Sequence, residues 1–242
     1  MSIQLEFVGH ACFRLWEDGQ PKILMDPYNH EVVGVPDDGT RLDTETVIVS
    51  SLTDEAHDNV GLAAGQPRVI NALDVARGQS EAVVNDEPLI TVAAAEHPEH
   101  TEHSPHDNAL YAFRAGDLWF LHMGDLGYEL TSKQLEPFRD HCDVFMLITG
   151  ERNTPMHEEL GRMIDCLGPK WLVPMHYELP PISFEASPIE KFLAFRSRDP
   201  VFIARHHTVT FPLSATGEAR PTIIVLQPSG YQVTAAAIPT LP

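Results

Sequence analysis

The sequence predicts a single α/β domain that opens with strands. Short runs of β-branched and aromatic residues recur along the chain, and turn residues such as Gly, Pro and Asp separate them. Several of these runs are apolar throughout, which is typical of strands that are covered on both faces. Two later segments place apolar residues at helical spacing between strand candidates. No internal repeat or inter-domain linker is visible, so residues 1–242 form one predicted domain.

The first strands form a predicted meander over residues 4–8, 12–16 and 22–25, with a turn that contains Gly19 and Pro21. Further strands are predicted at residues 46–49, 69–70, 89–92, 109–113, 118–121, 144–148 and 171–173. Residues from about 200 to 236 contain short apolar runs with Pro and Gly turns, and we expect them to be antiparallel strands of the same domain.

The helices are predicted from capping residues and spacing. Thr131 is a suitable N-cap for a helix over residues 131–139, because Gln134 follows three residues later and can complete a capping box. Residues 156–167 carry apolar side chains at helical spacing, namely Met156, Leu160, Met163, Ile164 and Leu167. A further helix is predicted over residues 188–195, after a Pro-rich loop.

The composition indicates an ordinary globular protein. Apolar residues make up 43% of the 242 residues, which is enough to bury a sizeable core. Sixteen Lys and Arg against 35 Asp and Glu give a formal charge of −19, which repels nucleic acid and anionic membrane surfaces. Three cysteines are too few for a disulfide framework or a cysteine zinc site. No secretory signal and no membrane-length apolar run is visible, so we expect a cytoplasmic protein. The sequence does not set the oligomeric state, and a homo-oligomer is one alternative.

Four short strings carry the strongest signal in the chain. They are FVGHACF at residues 7–13, LMDP at 24–27, HMGDLG at 122–127 and VPMHY at 173–177. In order and spacing, from about residue 3 to residue 178, the chain resembles the small metallo-β-lactamase-fold hydrolases related to L-ascorbate-6-phosphate lactonase. The resemblance implies a four-layer αββα sandwich with metal held at one edge, between the two sheets. It also implies water activation by a divalent metal, which lowers the pKa of bound water from about 15.7 to near 7.

The resemblance also implies several ligands. Asp125 corresponds to the acid that bridges two metals in the family, and His176 corresponds to the last ligand. His97, in the loop before Asn108, corresponds to a further ligand. Three other histidines lie in the same loop, at positions 100, 103 and 106. This segment is either a solvated loop or a polyproline-type helix, whose three residues per turn would place these histidines on one face.

The first metal motif of the family is altered in this chain. Ser51 and Thr53 stand where the first two histidines belong, and neither hydroxyl is a normal zinc ligand. His57 corresponds to the last histidine of that motif, and either Asp54 or Glu55 stands for its acid. We therefore expect about one metal per chain, Zn²⁺ in the first place, with Mn²⁺ or Fe²⁺ compatible with the same donors.

The sequence also suggests which residues take part in catalysis and which support the site. Asp125 and Asp54 are the candidate catalytic carboxylates, although each also suits a turn or a helix N-cap that binds no metal. His10 and Asp26 are expected to orient the site, and Asp26 could hold a ligand imidazole by its second nitrogen. Tyr177 suits packing, with a hydroxyl that could face the substrate.

Two functions follow from these residues. The first is a metal-dependent hydrolase that acts on a small ester, a lactone or a phosphate-bearing molecule. The second is a degenerate relative that keeps the fold and binds a metal or a ligand with little or no hydrolysis. A nuclease of the same fold is disfavoured by the charge of −19.

Overall fold

Two mixed β-sheets form the centre of the computed structural model, which describes residues 1–182, 185–213 and 220–232. The strands are β1 (Ile3–Gly9), β2 (Cys12–Glu17), β3 (Gln20–Met25), β4 (Thr46–Val49), β5 (Arg68–Asn71), β6 (Val83–Val84), β7 (Glu87–Pro88), β8 (Ile90–Ala94), β9 (Asn108–Ala115), β10 (Leu118–His122), β11 (Val144–Ile148), β12 (Trp171–Met175), β13 (Val201–Ile203), β14 (Thr208–Phe211) and β15 (Thr222–Val225). The first sheet has the order β14-β1-β2-β3-β4-β5, the second has the order β13-β15-β12-β11-β10-β9-β8, and β6 pairs with β7.

The helices are short, apart from one. They are α1 (His30–Val33), α2 (Ala72–Ala76), α3 (Ser132–Leu135), α4 (His157–Leu167) and α5 (Ile189–Phe195), with 3₁₀ turns at Val60–Leu62, Pro98–Thr101 and Glu136–Phe138. Helix α3 connects β10 to β11 and α4 connects β11 to β12, and both strand pairs are parallel, as such crossovers require. Across the described ranges, no helix has the length and apolarity needed to cross a membrane.

The two sheets share one hydrophobic core. Phe7 and Phe13 of the first sheet and Tyr111, Phe120 and Phe145 of the second are fully buried and belong to the same cluster. Each such aromatic side chain contributes about 1.5–3 kcal/mol through removal from water. The predicted αββα sandwich is confirmed.

Most predicted elements are also confirmed. Every strand candidate before residue 175 coincides with an observed strand to within one or two residues at each end. Helix α4 begins after Met156 and ends at Leu167, and Gly168 closes it in the left-handed conformation. Thr131 and Gln134 form the predicted capping box, although the helix after them continues only as a 3₁₀ turn.

The C-terminal prediction needs a correction. We expected antiparallel strands over residues 200–236, but β13 and β15 are parallel to each other, and β15 is parallel to β12 in the second sheet. Only β14 is antiparallel, and it pairs with β1 at the edge of the first sheet. The parallel arrangement covers the edge of β12 and buries Ile223 and Ile224 completely. Residues 214–219 and 233–236 of the predicted range lie outside the described residues.

Candidate metal centre

The candidate site lies where several strands end. His10 follows β1, the segment with Asp54 and His57 follows β4, Asp125 follows β10, and His176 follows β12. Ligand sites in α/β proteins typically form in this way, from loops at the carboxyl ends of neighbouring strands. The two sheets therefore each contribute side chains to the same cluster.

Three imidazoles form the centre of this cluster. The metal-binding atoms of His10, His57 and His176 lie within 4.8 Å of one another. The rings of His10 and His57 are stacked, with centroids 4.6 Å apart, and the centroids of His10 and His176 are 4.2 Å apart. His57 is fully buried, and His10 is 2% exposed. Three converging imidazoles are a frequent donor set of zinc sites.

Two carboxylates complete the donor set. Asp54, His57 and Asp125 also place ligand atoms within 4.8 Å of one another. His57 Nδ1 makes a short hydrogen bond with Asp54 Oδ2, and Asp125 Oδ1 lies 3.5 Å from His176 Nε2. Among the described residues, the buried His57 Nε2 and Asp125 Oδ1 have no hydrogen-bond partner. Buried polar atoms are rarely left in this state, so both atoms suit a bound cation.

The protonation of the cluster reflects its burial and its charges. Burial alone would lower the pKa of His57, but Asp54 and Asp125 raise it to about 10. Burial raises the pKa of Asp125 to about 8, with His57 opposing the shift and Asp54 adding to it. Burial, together with His57, lowers the pKa of His176 to about 3. A divalent cation would favour the ionised carboxylate and the neutral imidazoles that this packing brings together.

The backbone of the site adopts left-handed conformations at two candidate ligands. His10 has φ 55° and His176 has φ 54°, and the His176 N–H donates to the His10 carbonyl at 2.9 Å. A non-glycine residue in this region is uncommon and costs free energy that the surrounding structure must offset. The hydrogen bond joins one sheet to the other at the point where the imidazoles meet.

The loop that carries Asp125 depends on two close contacts. Asn108 Oδ1 accepts a hydrogen bond from the Asp125 N–H at 3.0 Å, which fixes the backbone of the candidate ligand. Gly124 has φ +62°, and a Cβ there would lie 2.4 Å from the same Asn108 oxygen. His122 Nδ1 accepts from the Gly124 N–H at 3.0 Å, and its Nε2 donates to the Ala11 carbonyl at 2.9 Å. His122 and Gly124 of the HMGD string are therefore both required to place the Asp125 carboxylate.

Asp26 supports the strand ends at the site, but its partners are not the ligand imidazole that we predicted. Its Oδ1 accepts hydrogen bonds from the Ser50 N–H at 2.8 Å and from the Tyr111 hydroxyl at 3.1 Å. Its Oδ2 lies 3.6 Å from His122 Nδ1, and His122 does not join the cluster of metal-binding atoms. Asp26 thus positions the strand ends beneath the candidate ligands. Tyr177 is buried in the hydrophobic core, which agrees with packing and not with a hydroxyl that faces a substrate.

The segment after β4 decides between the two candidate acids. Asp54 Oδ1 accepts a hydrogen bond from the Ala56 N–H at 3.0 Å, so the segment forms a turn and not the start of an α-helix. This turn buries Asp54 beside His57 and leaves Glu55 exposed. The structure therefore places Asp54, and not Glu55, among the clustered metal-binding atoms.

The two hydroxyl side chains in the segment after β4 satisfy each other. Ser51 Oγ and Thr53 Oγ1 form a hydrogen bond of 2.8 Å, and the Thr53 N–H donates to Ser51 Oγ at 3.2 Å. His97 lines the same cavity as the cluster, but its Nε2 lies 3.2 Å from Glu96 Oε1 and it does not join the clustered metal-binding atoms. The structure therefore places His97 at the cavity but outside the clustered metal-binding atoms, and its buried Nδ1 has no hydrogen-bond partner among the described residues.

The loop with the other histidines has its own arrangement. Residues Pro98–Thr101 form a 3₁₀ turn and not a polyproline-type helix. His100 Nδ1 pairs with Asp107 Oδ2 at 2.8 Å, and both cluster with Glu96. Burial, Asp54 and Asp107 together raise the pKa of Glu96 to about 7.

A cavity of about 250 Å³ opens onto the cluster. Its other lining residues are Val32, Val33, Ala56, Glu96, His97, Arg152, Asn153, Thr154 and Glu185. The sequence did not indicate residues 152–154 or Glu185, because they belong to no motif. Nor did it indicate His10 as a third imidazole of the cluster, although the conspicuous GHA string was the available signal.

This geometry agrees with the family to which the chain belongs. Residues 4–176 match the family model described as the beta-lactamase superfamily domain, and the chain is a member of that family.

Individual relatives are distant. A UPF0173 metal-dependent hydrolase of Pyrococcus horikoshii is 26% identical over 218 residues, which cover 79% of this chain and 92% of the relative. Among solved structures, a protein of Thermotoga maritima, described as a Zn-dependent hydrolase of the metallo-beta-lactamase superfamily, matches with a TM-score of 0.66 at 23% identity, covering 93% of this chain and 98% of that one. The metallo hydrolase Igni18 of Ignicoccus hospitalis matches with a TM-score of 0.61 at 20% identity, covering 88% and 100%. These two structures bear on the fold alone.

Proposed function

We propose that this protein is a metal-dependent hydrolase that cleaves a small ester, lactone or phosphate-bearing substrate with water. The observation that carries the proposal is a pair of donor triads that share His57, namely His10, His57 and His176, and Asp54, His57 and Asp125, at a cavity of about 250 Å³. The name of the Pyrococcus horikoshii relative supports the activity class. A lactone is one candidate substrate, because the four sequence strings resemble those of L-ascorbate-6-phosphate lactonase relatives.

Four residues would hold the metal. They are His10, His57, His176 and Asp125, a set of three imidazoles and one carboxylate that suits Zn²⁺, with Mn²⁺ or Fe²⁺ as alternatives. One metal per chain follows, because Ser51 and Thr53 are engaged with each other where the family has histidines. When bound, such a metal supplies a Lewis acid and lowers the pKa of water to about 7.

The protein residues prepare this chemistry in distinct ways. Asp54 holds His57 at Nδ1, which leaves the buried Nε2 atom of the same ring available to a metal. Asn108 fixes the backbone of Asp125, and the bond between His176 and the His10 carbonyl fixes the two sheets relative to each other. Burial of the cluster excludes bulk water, which strengthens each electrostatic interaction within it.

A metal analysis tests the proposal. Protein purified without an affinity tag should contain about one divalent metal per chain and should hydrolyse at least one member of a panel of aryl esters, lactones and phosphodiesters. His57→Ala should lose both the metal and the activity. Protein that takes up no Zn²⁺, Mn²⁺ or Fe²⁺ on reconstitution would refute the proposal.

One observation favours a second function, a metal-binding relative with little or no hydrolysis. Ser51 and Thr53 satisfy each other by a hydrogen bond and leave one half of the usual two-metal site without imidazoles. A full complement of one metal per chain, with no turnover of any substrate in the panel, would support this second function over the first.

A further inference from the structure

The loop between β11 and α4 forms part of the cavity wall and lies outside every motif of the sequence. Arg152, Asn153 and Thr154 line the cavity together with the candidate metal ligands. The loop follows β11 directly, at the same strand ends that carry the cluster. Its side chains are therefore placed to contact a molecule that reaches the metal.

The conformation of this loop is strained and firmly held. Glu151 has φ 57° and Asn153 has φ 53°, so two non-glycine residues of one short loop are left-handed. The buried His157 ring, at the start of α4, contacts the beginning of the loop, since its Nε2 lies 3.0 Å from the Thr149 carbonyl and its Nδ1 lies 3.1 Å from Glu151 Oε1. Strain that is fixed in this way is typical of residues that position a ligand.

A second loop is tied to the first. Ser187 donates from its hydroxyl to Glu151 Oε2 at 3.0 Å and from its N–H to the Gly150 carbonyl at 2.7 Å. This second loop carries Glu185, whose carboxylate forms an ion pair with Arg152 at the cavity. The two loops thus bring an acid and a base together at the cavity wall.

Thr154 offers a polar group with no partner. It is 7% exposed, and its Oγ1 atom is buried without a hydrogen bond to any described residue. A buried hydroxyl in this state costs free energy, which a ligand in the cavity would recover by accepting or donating a hydrogen bond. Because Thr154 also lines the cavity, a rotation of its side chain would present this hydroxyl to a bound molecule.

Arg152 determines the charge of that molecule. Of the described residues that line the cavity, it is the one Lys or Arg, whereas Asp54, Glu96, Asp125 and Glu185 are acidic. The Arg152 side chain is 57% exposed and that of Glu185 is 77% exposed, so their ion pair is screened by water and easily exchanged. A guanidinium matches the planar, two-oxygen geometry of a carboxylate or a phosphate.

We propose that Arg152 and Thr154 form a subsite for an oxyanion of the substrate, either a carboxylate or a phosphate. Glu185 occupies Arg152 when no substrate is bound and is displaced by the substrate anion. The oxyanion lies away from the bond that is cleaved, so the subsite selects substrates and orients them over the metal. This inference rests on the proposed hydrolase function and specifies its substrate class as anionic small molecules.

The binding test uses metal-free protein, so that neither anion can bind through a metal. Succinate and inorganic phosphate are titrated separately by calorimetry, which distinguishes a carboxylate subsite from a phosphate subsite. Arg152→Gln should weaken binding of the preferred anion by about tenfold or more, and Thr154→Val by a smaller factor. Glu185→Gln should strengthen binding, because it removes the competing carboxylate.

A matched control is available elsewhere on the surface. Arg162 forms an exposed ion pair with Glu129 at 2.7 Å, and its side chain is 59% exposed, close to that of Arg152. Arg162→Gln should leave anion binding unchanged. Failure of wild-type protein to bind either anion, or an equal loss in Arg152→Gln and Arg162→Gln, would overturn the subsite.

A kinetic test uses metal-loaded protein and two esters with one leaving group, 4-nitrophenyl acetate and mono-4-nitrophenyl succinate. The second ester adds a free carboxylate. Arg152→Gln should lower the ratio of kcat/KM for the anionic ester to that for the neutral ester by about tenfold, with metal content at the wild-type level. A ratio that Arg152→Gln does not change would contradict the subsite. Absence of turnover of both esters would count against the hydrolase function alone, since the calorimetry still decides the subsite.

Discussion

Gly124 should tolerate no side chain without loss of stability, and the chain contains a matched control for it. Gly124 and Gly168 have nearly equal φ angles of +62° and +63°. A Cβ at Gly168 would meet nothing within 4 Å, whereas a Cβ at Gly124 would lie 2.4 Å from Asn108 Oδ1 and 2.9 Å from the Ala109 carbonyl. Replacement by alanine therefore adds the same backbone strain at both positions and a steric clash at only one.

The expected free energies follow from these contacts. Gly168→Ala should lower the free energy of unfolding by about 1 kcal/mol, the cost of a left-handed L-residue. Gly124→Ala adds a steric penalty of about 1–3 kcal/mol and weakens the hydrogen bond from the Asp125 N–H to Asn108, worth about 1 kcal/mol. We expect a loss of about 3–5 kcal/mol for Gly124→Ala, together with reduced metal content because Asp125 moves.

Urea unfolding of both variants and of the parent, followed by circular dichroism, measures these values, and elemental analysis gives the metal content. The comparison is made on metal-free protein first, so that loss of metal does not add to the loss of stability. Equal destabilisation of the two variants would refute the argument, since it would mean that the Asn108 contact does not constrain Gly124.

The remaining predictions concern the donors themselves. His176→Ala should lose the metal while the fold persists, as measured by elemental analysis and circular dichroism, and full metal content would exclude His176 as a ligand. Asp54→Asn should weaken metal affinity by about 10–100-fold, because Asp54 holds His57, whereas the neighbouring Glu55→Gln should match the parent in a competition titration with a chelator. The double variant Ser51→His with Thr53→His should bind close to one additional metal per chain, and an unchanged count in folded protein would show that this loop no longer supports the family's first metal site.

Local patterns in the sequence account for the strands and for helix α4. Most strands up to β12 are rich in Val, Ile, Leu and Phe, and α4 repeats apolar residues at helical spacing, so these segments themselves carry the signal. The sequences of the C-terminal strands β13 and β15 do not indicate which strands they pair with. Each has only three or four residues, and the open edge of β12 decides which strand pairs with it and in which direction.

The candidate site likewise contains some residues that local sequence patterns predict and others that they do not. Asp125 and His176 follow from motifs, because Gly124 and the strand ends on which they depend are local features. The choice between Asp54 and Glu55 was not available from the sequence, since a single hydrogen bond from the Ala56 N–H to Asp54 determines which carboxylate is buried. The position of His97 was also not available, because it depends on the 3₁₀ turn that follows.

His10 shows why a ligand set can exceed what its motifs indicate. The resemblance gave His10 a supporting part, yet its ring stacks on His57 and lies 4.2 Å, centroid to centroid, from His176. The left-handed backbone of His10 and the hydrogen bond from the His176 N–H to its carbonyl create this proximity, and both arise from the contact between two sheets. A chain with Ser51 and Thr53 after β4 therefore still gathers three imidazoles, because the third one comes from the end of its first strand. In such a site the packing of the sheets, and not the number of histidine motifs in the sequence, determines how many imidazoles meet.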